Sequence, residues 1–190
     1  DRDLGVGGGV LFDAAAAGAA GAVFCIHQRV VGVPLPAEQL AADQKVAYYQ
    51  LVLHPIAALS NLYDFYLAIA KNTHYAKQGR LSTNTYAAKA DSLFKKDAEI
   101  ANYYNKILAN GKWDHMMDQT HIGYNSWQQP DKNIMPKTMI ITNAATAFGL
   151  AIEGNELFWT GKTTVDKPFP AFSILTNKTH YVELFKTGPA

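Results

Sequence analysis

Apolar residues recur through the middle of the chain at spacings of three and four, the period of a helix with one buried face. Pro36 precedes Ala37-Glu38-Gln39-Leu40, and Leu40, Val46, Ala47, Tyr49, Leu51 and Leu53 predict a first helix. It is expected to stop near His54-Pro55, because proline disfavours helical backbone in the residue before it. Pro55 then opens a second helix, in which Ile56, Leu59, Leu62, Tyr63, Tyr66, Leu67 and Ala70 form an apolar stripe as far as Asn72. These two helices are expected to pack in a bundle. A third begins after Ser82-Thr83-Asn84, an N-cap signal, carries Tyr86, Ala90, Leu93, Phe94, Ala101, Tyr104, Ile107 and Leu108, and closes at Asn110-Gly111.

Beyond Pro136 the pattern shortens into β-type runs at Thr138–Thr142, Phe148–Ile152 and Tyr181–Phe185. Turn clusters separate them: Glu153-Gly154-Asn155, Thr160-Gly161-Lys162 and Asn177-Lys178. Two or three strands cannot close a sandwich, and the chain ends at Thr187-Gly188-Pro189-Ala190 just after one, as part of something longer would. The expected fold is therefore mainly α, a helical bundle with a short β-strand segment at the C-terminus. Its expected divisions are an Ala/Gly-rich segment at 1–36, a helical bundle at 37–136 and partial sandwich strands at 137–190.

Composition separates the first segment from the rest. Residues 1–43 hold 10 Ala and 7 Gly and no Lys, Asn, Ser, Thr, Tyr, Trp or Met, so this stretch reads as flexible and different in kind. Its apolar run Ala14–Ile26 is 13 residues, too short to span a bilayer, and Asp1-Arg2-Asp3 lacks the positive flank of a secretory signal. Gly5-Val6-Gly7-Gly8-Gly9 lacks the preceding strand and the Gly-Lys-Ser/Thr of a phosphate loop. Over all 190 residues the formal charge is +1 with no basic block, which argues against nucleic acid and an anionic membrane as partners. The single Cys25 rules out an intrachain disulfide and a cysteine-based zinc site. No cofactor is expected.

Candidate chemistry concentrates between Lys112 and Pro130. Trp113, Tyr124 and Trp127 offer flat apolar faces, while His115, Gln119, His121, Gln128 and Gln129 offer planar hydrogen-bonding groups. Sugar recognition uses that combination, since ring faces stack and hydroxyls need polar partners. The same loop would also serve as a plug whose tryptophans fill pockets and whose amides satisfy buried backbone. His115, Asp118 and His121 are spaced by three and could share a face, but no fourth ligand supports a metal, and satisfied structural histidines are the simpler reading. Asp114 and Asp118 stand too close on one face to flank a glycosidic bond as acid and base. His54, His74 and His180 are read as local capping or surface residues, and no Gly-x-Ser-x-Gly elbow is present.

These residues carry a family resemblance. Gln50-Leu51-Val52-Leu53-His54-Pro55, Asn61-Leu62-Tyr63, Tyr75-Ala76-Lys77-Gln78-Gly79-Arg80 and, above all, Gly111-Lys112-Trp113 with His115 through Tyr124 and Trp127-Gln128-Gln129-Pro130 closely resemble glycoside hydrolase family 115. That family removes glucuronic acid or its 4-O-methyl ether from xylan. The resemblance runs from about Asp43 to Ala190 and implies the family's helical bundle plus the opening strands of its β-sandwich, without the catalytic barrel. No catalytic residue is carried over. It implies an accessory, structural or carbohydrate-contacting role on glucuronoxylan in an extracellular or periplasmic setting, with a stand-alone hydrolase as the alternative. Apolar faces made for absent domains predict a homo-oligomer.

Overall fold

A computed structural model describes residues 40–142, 147–152, 156, 158–160, 171–172, 175 and 179–187. The Ala/Gly-rich segment at 1–36, the Glu153-Gly154-Asn155 and Asn177-Lys178 clusters and Gly161-Lys162 lie outside them. About half of the described residues are helical, and three short strands form one antiparallel sheet, so the fold is mainly α with a short β segment. The chain divides into two compact units, 1–63 and 64–190.

In the first unit, α1 (Ala42–Tyr48) begins where the Gln44 side chain reaches back to accept the Ala41 N–H at 3.0 Å, satisfying an otherwise unbonded donor. The helix does not stop at His54-Pro55 as expected. A π-helical turn, Tyr49–Leu53, leads directly into α2 (His54–Lys77), and His54 donates its N–H to the Tyr49 carbonyl five residues back. Pro55 lacks an N–H, and in a regular helix its ring would press on the carbonyl four residues earlier; one wide turn accommodates both defects. Proline here widens the helix instead of dividing it, so the expected packing of two separate helices about Pro55 does not occur.

The second unit contains the rest of α2 and α3 (Ser82–Asn102). They are joined by a tight turn in which Gly79 has φ +64°, Gly79 N–H meets Ala76 C=O at 3.0 Å, and Arg80 N–H meets Tyr75 C=O at 3.1 Å. This pair of bonds closes the helix end, and the left-handed backbone at its centre favours glycine. Ser82-Thr83-Asn84 sits inside the first turn of α3, not before it: Leu81 is the cap residue, and no side chain caps it. Phe65 of α2 is wholly buried and meets Phe94 of α3 at a ring separation of 5.9 Å, while Tyr75 meets Tyr86 edge-on at 5.4 Å. A second π turn, Tyr103–Ile107, and a tight 3-10 turn, Leu108–Gly111, end the run; Ala109, Asn110 and Gly111 are left-handed in succession.

The sheet has the order β2-β1-β3, from β1 (Ala147–Ile152), β2 (Phe158–Thr160) and β3 (Val182–Thr187), both pairings antiparallel. Gly149 stands opposite Phe185, whose ring fills the space where a Cβ would be. Arg80, only 2% exposed, ties this sheet to the helices: its guanidinium lies 4.3 Å from the Tyr75 ring and 4.0 Å from the Phe185 ring, and Nη1 meets Glu183 at 2.7 Å.

Candidate functional site

The expected strand Thr138–Thr142 forms no strand among the described residues and is held by side-chain amides. The wholly buried Asn72 of α2 accepts the Met139 N–H at 2.8 Å and donates to the Met139 carbonyl at 2.9 Å and the Thr83 carbonyl at 2.8 Å. Two residues on, Asn84 of α3 treats Ile141 the same way, accepting at 2.8 Å and donating at 2.9 Å. The two amides reproduce the donor and acceptor pattern of a neighbouring strand at alternate residues.

The same device fixes the loop before it. Asn105 accepts the Met117 N–H at 2.8 Å and donates to Asp118 at 2.7 Å, while Asn133 accepts the N–H groups of His121 at 2.9 Å and Ile122 at 3.0 Å. Gly123, at φ +94°, lies so close on Ile134 that a side chain would collide with it, and Ile134 N–H bonds the Ile122 carbonyl at 3.1 Å. Asparagine is a poor interior helix residue. Asn72 and Asn105, set among apolar helical positions, were therefore the readable signal for these anchors, which pattern reading passed over.

The candidate residues separate into several small groups. His115 bonds Asp118 through Nδ1 at 2.5 Å and lies 3.7 Å from Asp114. His121 turns elsewhere, to the buried Asp97 of α3, at 2.9 Å. His115, Asp118 and His121 thus do not converge, and among the described residues no group of three or more His, Cys, Asp or Glu could hold a metal ion. Tyr124 and Gln129 come together on the buried Thr120: the tyrosine hydroxyl donates to its carbonyl at 3.3 Å and the glutamine Nε2 to its hydroxyl at 3.2 Å. Gln119 is exposed and uses its backbone carbonyl toward His121. Trp113 is half-buried beneath the Lys112 ammonium, 4.9 Å from its ring, and its Nε1 is buried without an acceptor among the described residues. Trp127 is 89% exposed, with Gln128 exposed beside it.

The carboxylates of this loop are engaged. The Lys106 ammonium, 2.6 Å from Asp114, holds that carboxyl below its ordinary value; desolvation opposes this, and the His115 N–H and charges add to the lowering. Asp114 is therefore ionised at neutral pH and poorly suited to donate a proton to a leaving group.

A cleft of about 330 Å³ lies in the second unit between the end of α2 and the sheet, lined among others by Lys71, His74, Tyr75, Arg80, Tyr181 and Glu183. Its polar groups largely serve one another: Arg80 bonds Gln78 through Nε and Glu183 through Nη1, and Gln78 Nε2 donates to His74 at 3.1 Å. Burial raises the Tyr75 hydroxyl above its ordinary value, and the Glu183 charge adds to this. Among the described residues no helix is long and apolar enough to cross a membrane.

The chain matches no family model and no curated protein.

Proposed function

We propose that this chain is the accessory helical portion of a xylan α-glucuronidase-type glycoside hydrolase, and that its Trp113–Pro130 loop contacts plant polysaccharide outside the cytoplasm. The observation that carries the reading is Trp127. A 89% exposed indole costs solvation and contributes nothing to the interior, yet it stands on a loop fixed by Asn105, Asn133 and the Gly123–Ile134 contact. An apolar plane exposed on a loop anchored on either side of it, with Gln128 beside it, suits stacking on a sugar ring and bonding its hydroxyls.

The sheet supports the accessory part. The register puts Phe148, Leu150 and Ile152 of β1, Trp159 of β2 and Val182, Leu184 and Lys186 of β3 on one face. A solvated face would alternate to polar residues, but here only Lys186 is polar, with Phe148 64% and Leu184 69% exposed. Such a face suits a sandwich layer completed by further chain.

Affinity electrophoresis through a gel containing glucuronoxylan tests the loop. Wild type is retarded relative to a polysaccharide-free gel, and Trp127→Ala loses that retardation while its urea unfolding curve is unchanged. Equal mobility of the wild type in both gels refutes the carbohydrate contact.

A further inference from the structure

His121 is placed between two acceptors. Its Nδ1 is 3.0 Å from the Gln119 backbone carbonyl, which has no proton to give, and its Nε2 is 2.9 Å from Asp97 Oδ1. A neutral imidazole carries one ring proton and satisfies one of these; both bonds need a proton at each nitrogen. Asp97 is buried in α3 and takes a further, longer bond from Asn133 Nδ2 at 3.4 Å, the amide that also holds the His121 and Ile122 N–H groups. Asp97 thus connects the helix to both limbs of the loop, to one through the His121 ring and to the other through Asn133.

We propose that His121 is a proton-operated latch, which fixes residues 119–134 to α3 while both ring nitrogens are protonated and weakens that hold when one proton leaves. Of the groups facing the ring, α3 contributes the charge of Asp97, the 131–134 stretch the neutral amide of Asn133, and residues 119–122 backbone alone. Burial pulls the imidazole's pKa down and is the largest single influence. The Asp97 hydrogen bond, the Gln119 carbonyl and the Asp97 charge together outweigh it, so the group titrates above its ordinary 6.5. Because the folded value is the raised one, the latch contributes fully below 6.5 and is lost as pH climbs through the folded value. With the carbohydrate contact proposed above, and resting on that reading, the loop presents Trp127 most firmly in acid and loosens toward alkali.

Nitrogen-15 spectra of the ring across pH, with amide exchange followed in parallel, test the latch on the whole chain without polysaccharide. In acid both ring nitrogens of His121 carry protons, and the midpoint lies above 6.5. The protection factors of the His121 and Ile122 amides fall severalfold through that midpoint. In Asp97→Asn the midpoint drops to 6.5 or below, and this step in protection disappears. A wild-type midpoint at or below 6.5, or protection indifferent to His121 titration, overturns the proposal. Because the wild-type spectra suffice, a poorly folding Asp97→Asn does not shelter it. If the latch titrates as described and xylan fails to bind at any pH, the latch is supported and the carbohydrate reading alone falls.

Discussion

Replacing Asn72 by alanine tests whether amide side chains, more than apolar burial, hold the 138–141 segment. The substitution deletes three hydrogen bonds, two to Met139 and one to Thr83, from a residue with no exposed surface. At about 1 kcal/mol each they amount to about 3 kcal/mol. Alanine is the better helix former in α2 by roughly 0.6 kcal/mol, which lowers the net cost to about 2.5 kcal/mol. Met139 is itself 46% exposed, so water reaches its freed backbone and the larger penalty for stranded buried groups does not apply in full. Asn84→Ala removes two bonds from a half-buried site and costs less, about 1–2 kcal/mol. Since each release frees the same stretch of chain, the double variant costs less than the two singles added.

Urea unfolding gives the three stabilities, and amide exchange at Met139 and Ile141 reports the segment directly. The expected order is Asn72→Ala below Asn84→Ala, with Met139 exposed to exchange in the first and Ile141 in the second. An Asn72→Ala protein within 0.5 kcal/mol of wild type by this reasoning, with Met139 still protected, would refute it, because contacts other than the amide would then be holding the segment.

Two further expectations follow from burial. Phe65→Ala, at a wholly buried ring, costs about 3–5 kcal/mol by urea unfolding, whereas Phe94→Ala, half-buried against it, costs less, about 2 kcal/mol. The pure chain scatters light as an oligomer above the 20.8 kDa of one copy, and Phe148→Ser with Leu184→Ser shifts it toward monomer; a wild type that is strictly monomeric across concentration removes the argument from the sheet face.

What was legible in the sequence is what periodicity encodes. The existence of α2, the long α3, the end of that helical run at Asn110-Gly111 and the strand around Phe148–Ile152 follow from apolar spacing and turn residues. The buried face of α2 does not: Leu59, Tyr63, Tyr66 and Leu67 of the expected stripe are exposed, and Asn61, Phe65, Ala68 and Asn72 are buried instead. Pro55 was misleading because a local rule about the preceding residue does not register that one wide turn carries a helix through. Thr138–Thr142 was misleading for a related reason: β-type composition describes an extended backbone but not what satisfies it, and here the partners are Asn72 and Asn84, 67 and 57 residues away in sequence. β2 is three residues long and below what alternation can reveal. In the candidate loop the residue types stood out from the sequence, but not their sorting. Nothing in the spacing of His115 and His121 tells that one ring stays with Asp118 while the other crosses to Asp97.

That sorting bears on how the loop responds to its surroundings. The bonds at Met139, Ile141 and Met117 are made by neutral amides, which neither titrate nor change appreciably with salt. The His121–Asp97 pair is the charged attachment of the 119–134 stretch, with the ring partly open to water, so pH and ionic strength act there first. Release of that pair leaves Asn133 still bonded to Asp97, with Asn72 and Asn84 holding the segment that follows and Asn105 the one that precedes, so loosening is confined between these anchors. Trp127 lies inside the released stretch and is exposed with the latch closed. Opening therefore changes how rigidly the indole is presented and not whether it is accessible, which is why protonation would tune the strength of a stacking contact without switching it off.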